Sequence, residues 1–571
     1  MNKRWLYKPL PENTSVELLS KTLNVNTSVA TILLQRQIDT FDKAKAFFRP
    51  SLNDLYPPTL MCDMVAAVER LHKAIINNEK ILIYGDYDVD GTTAVALVYS
   101  YLHSFYKNCS YYIPDRYTEG YGVSEEGILY AAQQGYSLVI TLDCGIKASD
   151  KVELATTHGI DFIICDHHLP DTNIPNAVAV LDPKREDCQY PFTELSGCGI
   201  GFKLMQGYAQ RFRKEEEVFE YLDLVAVSIA SDIVPIIGEN RILAHFGLIK
   251  LNQNPSPGLK ALKQIAGIQG EMDINSVVFT IGPRINAAGR IAHANGAVEL
   301  LIASEEKAEE LAMQINAKNM QRRDVDKDMT QEALAMIEAS DFLQNSSSTV
   351  LYKETWSKGV IGIVASRCIE KYYRPTVILT ESNGKLTGSA RSVHGFDLYE
   401  AIEACGDLLE KFGGHKHAAG LTLDPSNLNS FIQRFEETVK NKLNGQTPTP
   451  VLEIDLQLPL DSIQPKFLNL LKQMAPFGPE NMNPVFVAKD LQVCRTPTLM
   501  KEKHLRFTVK QRGGVLELPV VAFDFAHCYE NLTSGKFFEM AFVIEENKFR
   551  DQTTLQIRAR DFNFPFNADN A

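Results

Sequence analysis

Short apolar runs, each followed by charged side chains, organise the first half of the chain. Residues 81–84 (ILIY) form a run of the kind that a buried parallel strand needs. Residues 137–142 (SLVITL) and 159–165 (GIDFIIC) repeat the pattern, and stretches with helical spacing separate the three runs. Strands that alternate with helices predict a mostly parallel sheet with helices on both faces. We therefore expect an α/β domain over residues 61–300.

The rest of the pattern predicts four further parts. Residues 1–60 carry helical apolar spacing and predict a helical lead-in to the α/β domain. Residues 301–340 are long, helical and rich in charge, which suits a helix that connects two domains. Residues 341–447 open on a polar boundary (DFLQNSSSTV) and predict a second α/β domain. Residues 448–571 alternate with a period near two, and their five or six strands predict a small β-barrel of the OB type.

Composition places the chain among ordinary globular proteins. The net charge of −13 by itself argues against nucleic acid, but local basic segments decide that question. No run of about 20 apolar residues is present, so no membrane partner is expected. The N-terminus lacks the apolar core of a signal peptide, which predicts a cytoplasmic protein. The 10 cysteines include no CxxC pair, so neither a disulfide framework nor a zinc finger is indicated.

Carboxylates and imidazoles follow the apolar runs. Strand ends of an open α/β sheet are where such folds bind ligands. Like charges held this close repel one another unless a cation joins them, and oxygen and imidazole ligands favour Mg²⁺ or Mn²⁺ over thiolate-bound zinc. The alternative is an acidic surface turn. The candidate residues are Asp86, Asp88, Asp90, Asp143, Asp166, His167, His168 and Asp232, the last of which follows a further apolar run.

A second group of residues could hold phosphate. The segment GPRINAAGR places arginines among small residues that permit close backbone approach, and salt-bridged arginines at a helix crossing are the alternative. The segment GSARS predicts a loop of phosphate-type donors, and GGHKHAAG predicts a glycine-rich turn that is either a binding loop or purely structural. The candidates are Arg290, Ser389, Arg391, His415 and His417.

The predicted barrel carries its own candidate surface. The span KEKHLRFTVKQR, residues 501–512, combines Lys503 and Arg506 with an aromatic ring. Positive charge for the backbone and a ring for base stacking are what a single-strand groove uses. The alternative is an ordinary solvated strand face.

The ordered motif set resembles a known family. The segments GDYDVDG, LDCGI, CDHHLP and SDIVP, followed by GGHKHAAG, resemble the DHH phosphoesterase superfamily. The segments PDRYTEGYG, GPRINAAGR, GSARS and PFGPENMNPVF, with a barrel behind them, are similar to the RecJ family of single-strand-specific DNA exonucleases. The resemblance covers nearly the whole chain.

The resemblance implies roles for individual residues. It makes Asp88, Asp90, Asp143, His167 and Asp232 the metal ligands, with Asp143 bridging two ions, and Asp86 and Asp166 further ligands or supporting acids. Asp143, His167 and His168 become the candidate catalytic residues, and Arg116, Arg290, Arg391 and His415 fall where such enzymes hold DNA phosphates. Two departures stand out. Tyr84 replaces a histidine ligand that many relatives carry, which predicts a weaker or water-completed metal site, and Pro479, Glu480 and Asn481 replace the usual Gly-Asn-Pro continuation.

The implied activity is a 5′→3′ exonuclease that uses two Mn²⁺ or Mg²⁺ ions to hydrolyse single-stranded DNA to nucleoside 5′-monophosphates in DNA repair and recombination. Its expected partners are single-stranded DNA, a helicase and a single-strand-binding protein. A monomer is expected because no heptad repeat or apolar stripe is present. Three alternatives stay open: a nanoRNase or cyclic-dinucleotide phosphodiesterase that acts on short substrates, a manganese inorganic pyrophosphatase, and a non-catalytic DNA-binding scaffold.

Overall fold

A computed structural model describes residues 3–549 and 552–565. The chain forms two compact units, one of Leu52–Pro448 and one that combines Met1–Ser51 with Thr449–Ala571. The predicted class is confirmed: a parallel-sheet α/β domain, a long helix, a second α/β domain and a β-barrel. Among the described residues, no helix has both the length and the apolar character needed to cross a membrane.

The N-terminal segment contains one strand and three helices. They are β1 (Arg4–Tyr7), α1 (Asn13–Leu23), α2 (Thr27–Gln35) and α3 (Phe41–Phe48). Asn26 and Thr40 cap α2 and α3, since their side chains accept hydrogen bonds from Val29 N and Lys43 N. The predicted helical character is present, and this segment shares a hydrophobic core with the C-terminal barrel.

The first sheet of the larger unit is parallel throughout, in the order β3-β2-β4-β5-β6. Its elements are α4 (Met64–Ile76), β2 (Ile81–Gly85), α5 (Val89–Phe105), β3 (Cys109–Tyr112), α6 (Glu125–Gln133), β4 (Leu138–Leu142), α7 (Ser149–Thr157), β5 (Asp161–Cys165) and β6 (Ala179–Leu181). The chain leaves β2 for β3 on one side and returns to β4 on the other. The strand order therefore reverses between β2 and β4, and the crevice at their carboxyl ends is where such sheets bind ligands.

A series of helices follows the sheet, and the first of them packs against β4 and β5. They are α8 (Gly197–Phe212), α9 (Glu216–Phe219), α10 (Leu222–Ser231), α11 (Gly238–Gln253), α12 (Pro257–Ile265), α13 (Ile274–Ser276), α14 (Gly282–Ile291) and α15 (Asn295–Leu301). The apolar run before Asp232 is the buried helix α10, whereas the runs before the other acidic motifs are strands.

A single helix of 34 residues, α16 (Glu305–Glu338), leads to the second α/β domain. That domain contains α17 (Asp341–Asn345), β7 (Thr349–Tyr352), α18 (Ile361–Lys371), β8 (Thr376–Ser382), β9 (Lys385–Arg391), α19 (Leu398–Glu403), β10 (Lys411–His415), β11 (Ala418–Leu423) and α20 (Leu428–Lys442). Its sheet has the order β10-β11-β9-β8-β7. The segment GSARS lies on β9 and not in the predicted loop, because its residues alternate between buried and half-buried positions.

The C-terminal part is a barrel. Its elements are β12 (Val451–Ile454), β13 (Leu456–Gln457), α21 (Pro465–Gln473), β14 (Phe486–Val493), β15 (Thr498–Met500), β16 (His504–Gln511), β17 (Glu517–Ala522), α22 (Tyr529–Thr533), β18 (Phe538–Phe549) and β19 (Gln552–Asn563). Pairing between β14 and β16 closes the sheet β14-β18-β19-β17-β16. Strand β1 pairs in parallel with β12, which ties the N-terminal segment to this unit.

A buried ion pair lies within the larger unit. Lys203 Nζ is 2.6 Å from Glu239 Oε1, and both side chains are at most 1% exposed. Lys203 Nζ also donates to Tyr56 O at 2.8 Å, and Tyr190 Oη donates to Glu239 Oε2 at 2.6 Å. Because each charge is paired and hydrogen-bonded, the pair is tolerated inside the protein.

We expect Lys203→Met to destabilise the larger unit by about 3–5 kcal/mol, because it leaves the Glu239 carboxylate buried without its cation. Urea denaturation measures the change in the unfolding transition. Lys250→Met is the matched control, since the Lys250–Glu220 pair lies at the surface and its loss costs at most about 1 kcal/mol. Equal shifts for the two variants would contradict the prediction.

Candidate active site

Three carboxylates lie where β2 gives way to α5. Asp86 follows the strand and is 1% exposed, and Asp88 caps the helix by accepting a hydrogen bond from Gly91 N at 3.1 Å. Asp90 lies in the first turn of the helix. Gly91 permits this geometry, since a Cβ there would lie 2.4 Å from Asp86 O. The three side chains therefore enter the crevice between β2 and β4.

The N-terminal end of α8 holds the Asp90 side chain in place. Gly197 N and Cys198 N donate to the two Asp90 carboxylate oxygens at 2.6 and 2.7 Å, and Ser228 Oγ donates at 2.7 Å. Three donors to one carboxylate fix its orientation.

Asp143 follows β4 in a left-handed backbone conformation, with a φ of 60°. Its side chain is 2% exposed, and α8 passes so close that a Cβ on Gly197 would lie 2.6 Å from Asp143 Cβ. The glycine is therefore required for Asp143 to occupy this position.

His167 and His168 follow β5. His167 Nε2 lies 3.2 Å from Asp143 Oδ1, 3.7 Å from Asp90 Oδ2 and 3.6 Å from Asp232 Oδ2. His168 Nδ1 lies 2.8 Å from Asp166 Oδ1, and its Nε2 lies 3.1 Å from the Tyr121 hydroxyl. Burial opposes the charged imidazolium, but the Asp166 carboxylate raises the pKa of His168 to about 9.

Asp232, at the C-terminal end of α10, lies beside His167 and so belongs to the same cluster of acids and imidazoles. Ile233, directly after it, has a φ of 60°, which is unusual for a β-branched residue. Such strain costs about 1–3 kcal/mol and persists where the surrounding structure imposes it, often at functional sites.

The predicted acids and imidazoles converge into three overlapping groups. Their ligand atoms lie within 4.8 Å of one another in each of the sets Asp90–His167–Asp232, Asp86–Asp88–Asp143 and Asp143–His167–His168. Asp143 and His167 are each shared by two sets. All the sequence-predicted metal ligands are therefore brought together, and Asp86 joins them directly.

The electrostatics of this cluster suit a divalent cation. Burial and then the neighbouring carboxylates raise the pKa values of Asp86, Asp143 and Asp232 well above the usual range. Both oxygens of Asp86, Asp143 Oδ1 and His167 Nε2 are buried without a hydrogen-bond partner. Buried polar atoms with no partner are costly, and hard cations such as Mg²⁺ and Mn²⁺ would satisfy them.

Tyr84 does not enter the cluster. Its hydroxyl donates to Gly122 O at 3.0 Å and accepts from Ser124 N at 3.0 Å, and its ring stacks on Tyr112. It therefore holds the segment before α6, and the expectation of a weaker metal site stays a prediction.

Cations surround the acidic cluster. Arg116 lies over the Tyr87 ring, 4.8 Å from its centroid, and Arg290 Nη1 donates to Gly359 O at 2.8 Å. Loss of solvation, followed by the charges of Arg116, Arg322 and Arg391, lowers the pKa of Arg290 to about 10, while Asp88 opposes the shift. Positive charge is thus concentrated next to the acids.

The second α/β domain completes this positive region. Arg391 Nη1 donates to Ser389 Oγ at 3.0 Å. Both side chains lie against the first turn of α18, because a Cβ on Gly362 would lie 2.9 Å from each. His415 belongs to the same region: burial lowers its pKa, and His417, Arg391 and His168 lower it further. A helix N-terminus with arginine and serine donors is a ready site for phosphate.

Lys503 and Arg506 lie in the other compact unit, and both are exposed. Arg506 is on β16, but the aromatic ring of the same segment, Phe507, is 5% exposed and packs on Phe562. The expectation that this ring stacks on a base was wrong, since alternation along the strand turns it inward. Phe523, 48% exposed and edge-on to His504, is the exposed ring of this surface.

Sequence reasoning missed Asp182 and Lys184. Asp182 follows β6 and is fully buried, and burial raises its pKa to about 7. Lys184 N donates to Asp182 Oδ1 at 2.8 Å. The sequence pattern could have identified both residues, because the segment LDPKRE follows a short apolar run as the other acidic motifs do.

We expect Gly197→Ala to lower the activity of this site by about 10²-fold, because the new methyl group displaces Asp143 by up to about an ångström. Gly199→Ala, two residues further along α8, is the control, since its Cβ meets nothing nearer than 3.3 Å. Activity and melting temperature are measured for both variants. Equal activities would contradict the role assigned to Gly197.

Comparison with family models identifies three segments. Residues 80–229 match the DHH family N-terminal domain, residues 345–441 match the DHHA1 domain, and residues 454–561 match the RecJ OB domain.

Curated relatives match over most of the chain. It is 34% identical over 556 residues to the single-stranded-DNA-specific exonuclease RecJ of Bacillus subtilis (strain 168), covering 96% of this chain and 70% of that protein. It is 32% identical over 531 residues to the protein of the same name from Escherichia coli (strain K12), covering 89% and 91%.

Solved structures agree with these relatives. A crystal structure of RecJ in complex with Mn²⁺ from Thermus thermophilus matches with a TM-score of 0.84 and 26% identity, covering 98% of this chain and 80% of that chain. A second structure from that organism, in complex with Mg²⁺, matches with a TM-score of 0.78 and 25% identity, covering 98% of this chain and 78% of that chain.

Proposed function

The chain belongs to the RecJ family of single-stranded-DNA-specific exonucleases, and from that premise we propose that it removes nucleoside 5′-monophosphates one at a time from the 5′ end of single-stranded DNA. The observation that carries the proposal is the meeting of a buried acidic cluster, with oxygens that lack partners, and a cluster of cations beside it. A cation centre next to an anion site is what phosphodiester hydrolysis needs.

The cofactor is Mn²⁺ or Mg²⁺. We propose two ions: Asp90, His167 and Asp232 would hold one, and Asp86, Asp88 and Asp143 would hold the other. Asp143 and His167 also meet each other in the third group, with His168. When bound, such ions supply Lewis acidity, which activates water and offsets negative charge on the phosphate.

The surrounding residues bind and orient the strand. Ser389, Arg391 and the N-terminus of α18 hold a terminal 5′-phosphate, and Arg116, whose charge acts on Arg391, adds positive charge. Arg290 and His168 face the phosphate to be cut and donate hydrogen bonds to its oxygens. In this proposal the terminal phosphate binds in the pocket of Ser389 and Arg391 while the next phosphate is cut at the acidic cluster, which would give the 5′→3′ direction.

The barrel contributes affinity for the rest of the strand. Lys503 and Arg506 supply charge, and we propose Phe523 in place of Phe507 as the ring available for stacking. The role in DNA repair and recombination, the helicase and single-strand-binding partners, the monomeric state and the cytoplasmic location stay predictions, as do the domain limits at residues 60, 300, 340 and 447.

Digestion of a long single strand labelled at either its 5′ or its 3′ end, with Mn²⁺ present, tests the proposal. We expect immediate release of a labelled mononucleotide from the 5′-labelled strand and a lag for the 3′ label. Survival of long DNA while dinucleotides are consumed would instead support the small-substrate alternative. Immediate release of the label from the 3′-labelled strand would overturn the proposed 5′→3′ direction of digestion.

A further inference from the structure

Positive charge continues past the site, along α16. Arg290 and Arg322 line a cavity of about 190 Å³ together with Asn286, and Ser231 next to Asp232 lies on its wall. The charge of Arg322 is among those that lower the pKa of Arg290. The cavity therefore begins at the active site and reaches the long helix.

A second cavity, of about 620 Å³, shares Arg322 and extends along the helix. Arg323 and Lys327 of α16 and Arg367 of α18 line it. Arg323 and Lys327 lie one helical turn apart, about 6 Å along the axis. The two cavities together form a groove between α16 and α18, which we call the α16 groove.

The charges in the α16 groove are incompletely neutralised. Arg322 Nε is buried without a hydrogen-bond partner, and Arg322 Nη2 donates to Asn319 Oδ1 at 3.2 Å. Among residues 52–448, which the structure describes in full, no hydrogen-bond or ion-pair partner is present for the side chains of Arg323 and Lys327.

The acidic groups nearby leave a positive balance. Asp324 and Asp326 line the groove, and Asp326 Oδ1 accepts a hydrogen bond from Thr330. Arg367 pairs with Glu370 at 2.9 Å, but both side chains are exposed, so the pair is weak. Burial lowers the pKa of Arg322; Asp326 opposes that shift, whereas Arg323 and Arg367 add to it. Cations held together against their repulsion indicate an anionic ligand.

We propose that the α16 groove is a second binding site for phosphate esters, separate from the metal centre and from the pocket of Ser389 and Arg391. The identity of the ligand rests on the proposed function. Phosphate esters reach the groove from two sources: the backbone of the bound DNA, and the nucleoside 5′-monophosphate released by hydrolysis. The groove opens from the active site, so both sources are adjacent to it.

The double variant Arg323→Glu/Lys327→Glu tests the proposal. Both side chains are exposed and unpaired, so folding is preserved. The control is Lys307→Glu/Lys440→Glu, which makes the same change of charge at exposed positions on α16 and α20 outside the groove. Binding of a fluorescent single strand of 30 nucleotides is measured with EDTA across a range of salt concentrations, and binding of thymidine 5′-monophosphate is measured by calorimetry.

The outcomes separate the sources. If the groove holds the strand, affinity at low salt falls about tenfold and the slope of log affinity against log salt becomes shallower by about 1.4, the value for two lost phosphate contacts. If it holds the product, the slope is unchanged and the nucleotide binds several-fold more weakly. If neither measurement differs from the control, the proposal is overturned. These assays need no hydrolysis, and release of mononucleotide from a 5′-labelled strand by the wild-type protein tests the proposed function separately.

Discussion

Asp143→Asn is expected to lower the hydrolysis of single-stranded DNA by about 10⁴-fold, a loss of the size that follows removal of an essential active-site group. Asp143 belongs to one proposed metal position, and its Oδ1 lies 3.2 Å from Nε2 of His167, which belongs to the other, so one substitution affects the surroundings of both. Asparagine tolerates the left-handed backbone of this position, with its φ of 60°, better than other residues do. The fold should therefore persist, and the initial rate with Mn²⁺ is the measurement.

Binding distinguishes an enzyme from a scaffold in the same variant. We expect Asp143→Asn to bind single-stranded DNA at least as tightly as the wild-type protein in EDTA, because a negative charge has been removed near the strand. Asp341→Asn, an equal change of charge at an exposed position on α17, is the control and should keep full activity. Undiminished hydrolysis by Asp143→Asn would refute the assigned metal centre.

The second large effect concerns the terminal phosphate. We expect Arg391→Gln to lower kcat/KM about 10²-fold on a 5′-phosphorylated strand, because it removes a charged donor beside Ser389 and the first turn of α18. On a strand with a 5′-hydroxyl the loss should be severalfold at most. The ratio of the two kcat/KM values is the measurement that isolates this contact.

Arg434→Gln provides the comparison for Arg391→Gln. Arg434 is on α20, where it pairs with Asp407 at the surface. Its substitution should therefore leave kcat/KM at the wild-type value on both the 5′-phosphorylated and the 5′-hydroxyl strand. If Arg391→Gln lowered activity equally on both strands, the residue would support the fold or the scissile phosphate and not the terminal one.

The sequence predicted the first sheet well because its strands are apolar on both faces. Strands β2 and β4 are buried at all five positions, and each is followed by the carboxylates that the pattern indicated. Continuous apolarity alone does not identify a strand, since the equally apolar run of α10 is a helix enclosed on all sides. Periodicity cannot separate these two cases for a short run.

The acidic half of the site was more predictable than the basic half. Acidic residues at strand ends converge because parallel strands end at one edge. The cations come from separate places, including the segment after β3, α14 and β9, and only the folded chain brings Arg116, Arg290 and Arg391 together. The α16 groove could not be predicted from the sequence, since arginines on a long charged helix are typical of any solvated helix face.

The sequence analysis also failed to predict which side chains of the barrel strands face solvent. Basic residues and a ring in one segment indicated a shared surface, but strand alternation places Phe507 opposite Arg506. The exposed ring, Phe523, comes from the end of the neighbouring strand, where cross-strand pairing and not sequence proximity sets the contact.

The parallel pairing of β1 with β12 has a consequence for biosynthesis. Met1–Ser51 emerges from the ribosome well before Thr449, and at about 5–20 residues per second the intervening stretch of about 400 residues takes about 20–80 seconds to translate. During that time Val29, Ile32 and Leu33, which the finished protein buries completely, have the neighbouring N-terminal helices but lack the barrel side of their core. The larger unit is made whole in this interval and can fold first. The smaller unit can complete its core only after the barrel has been translated.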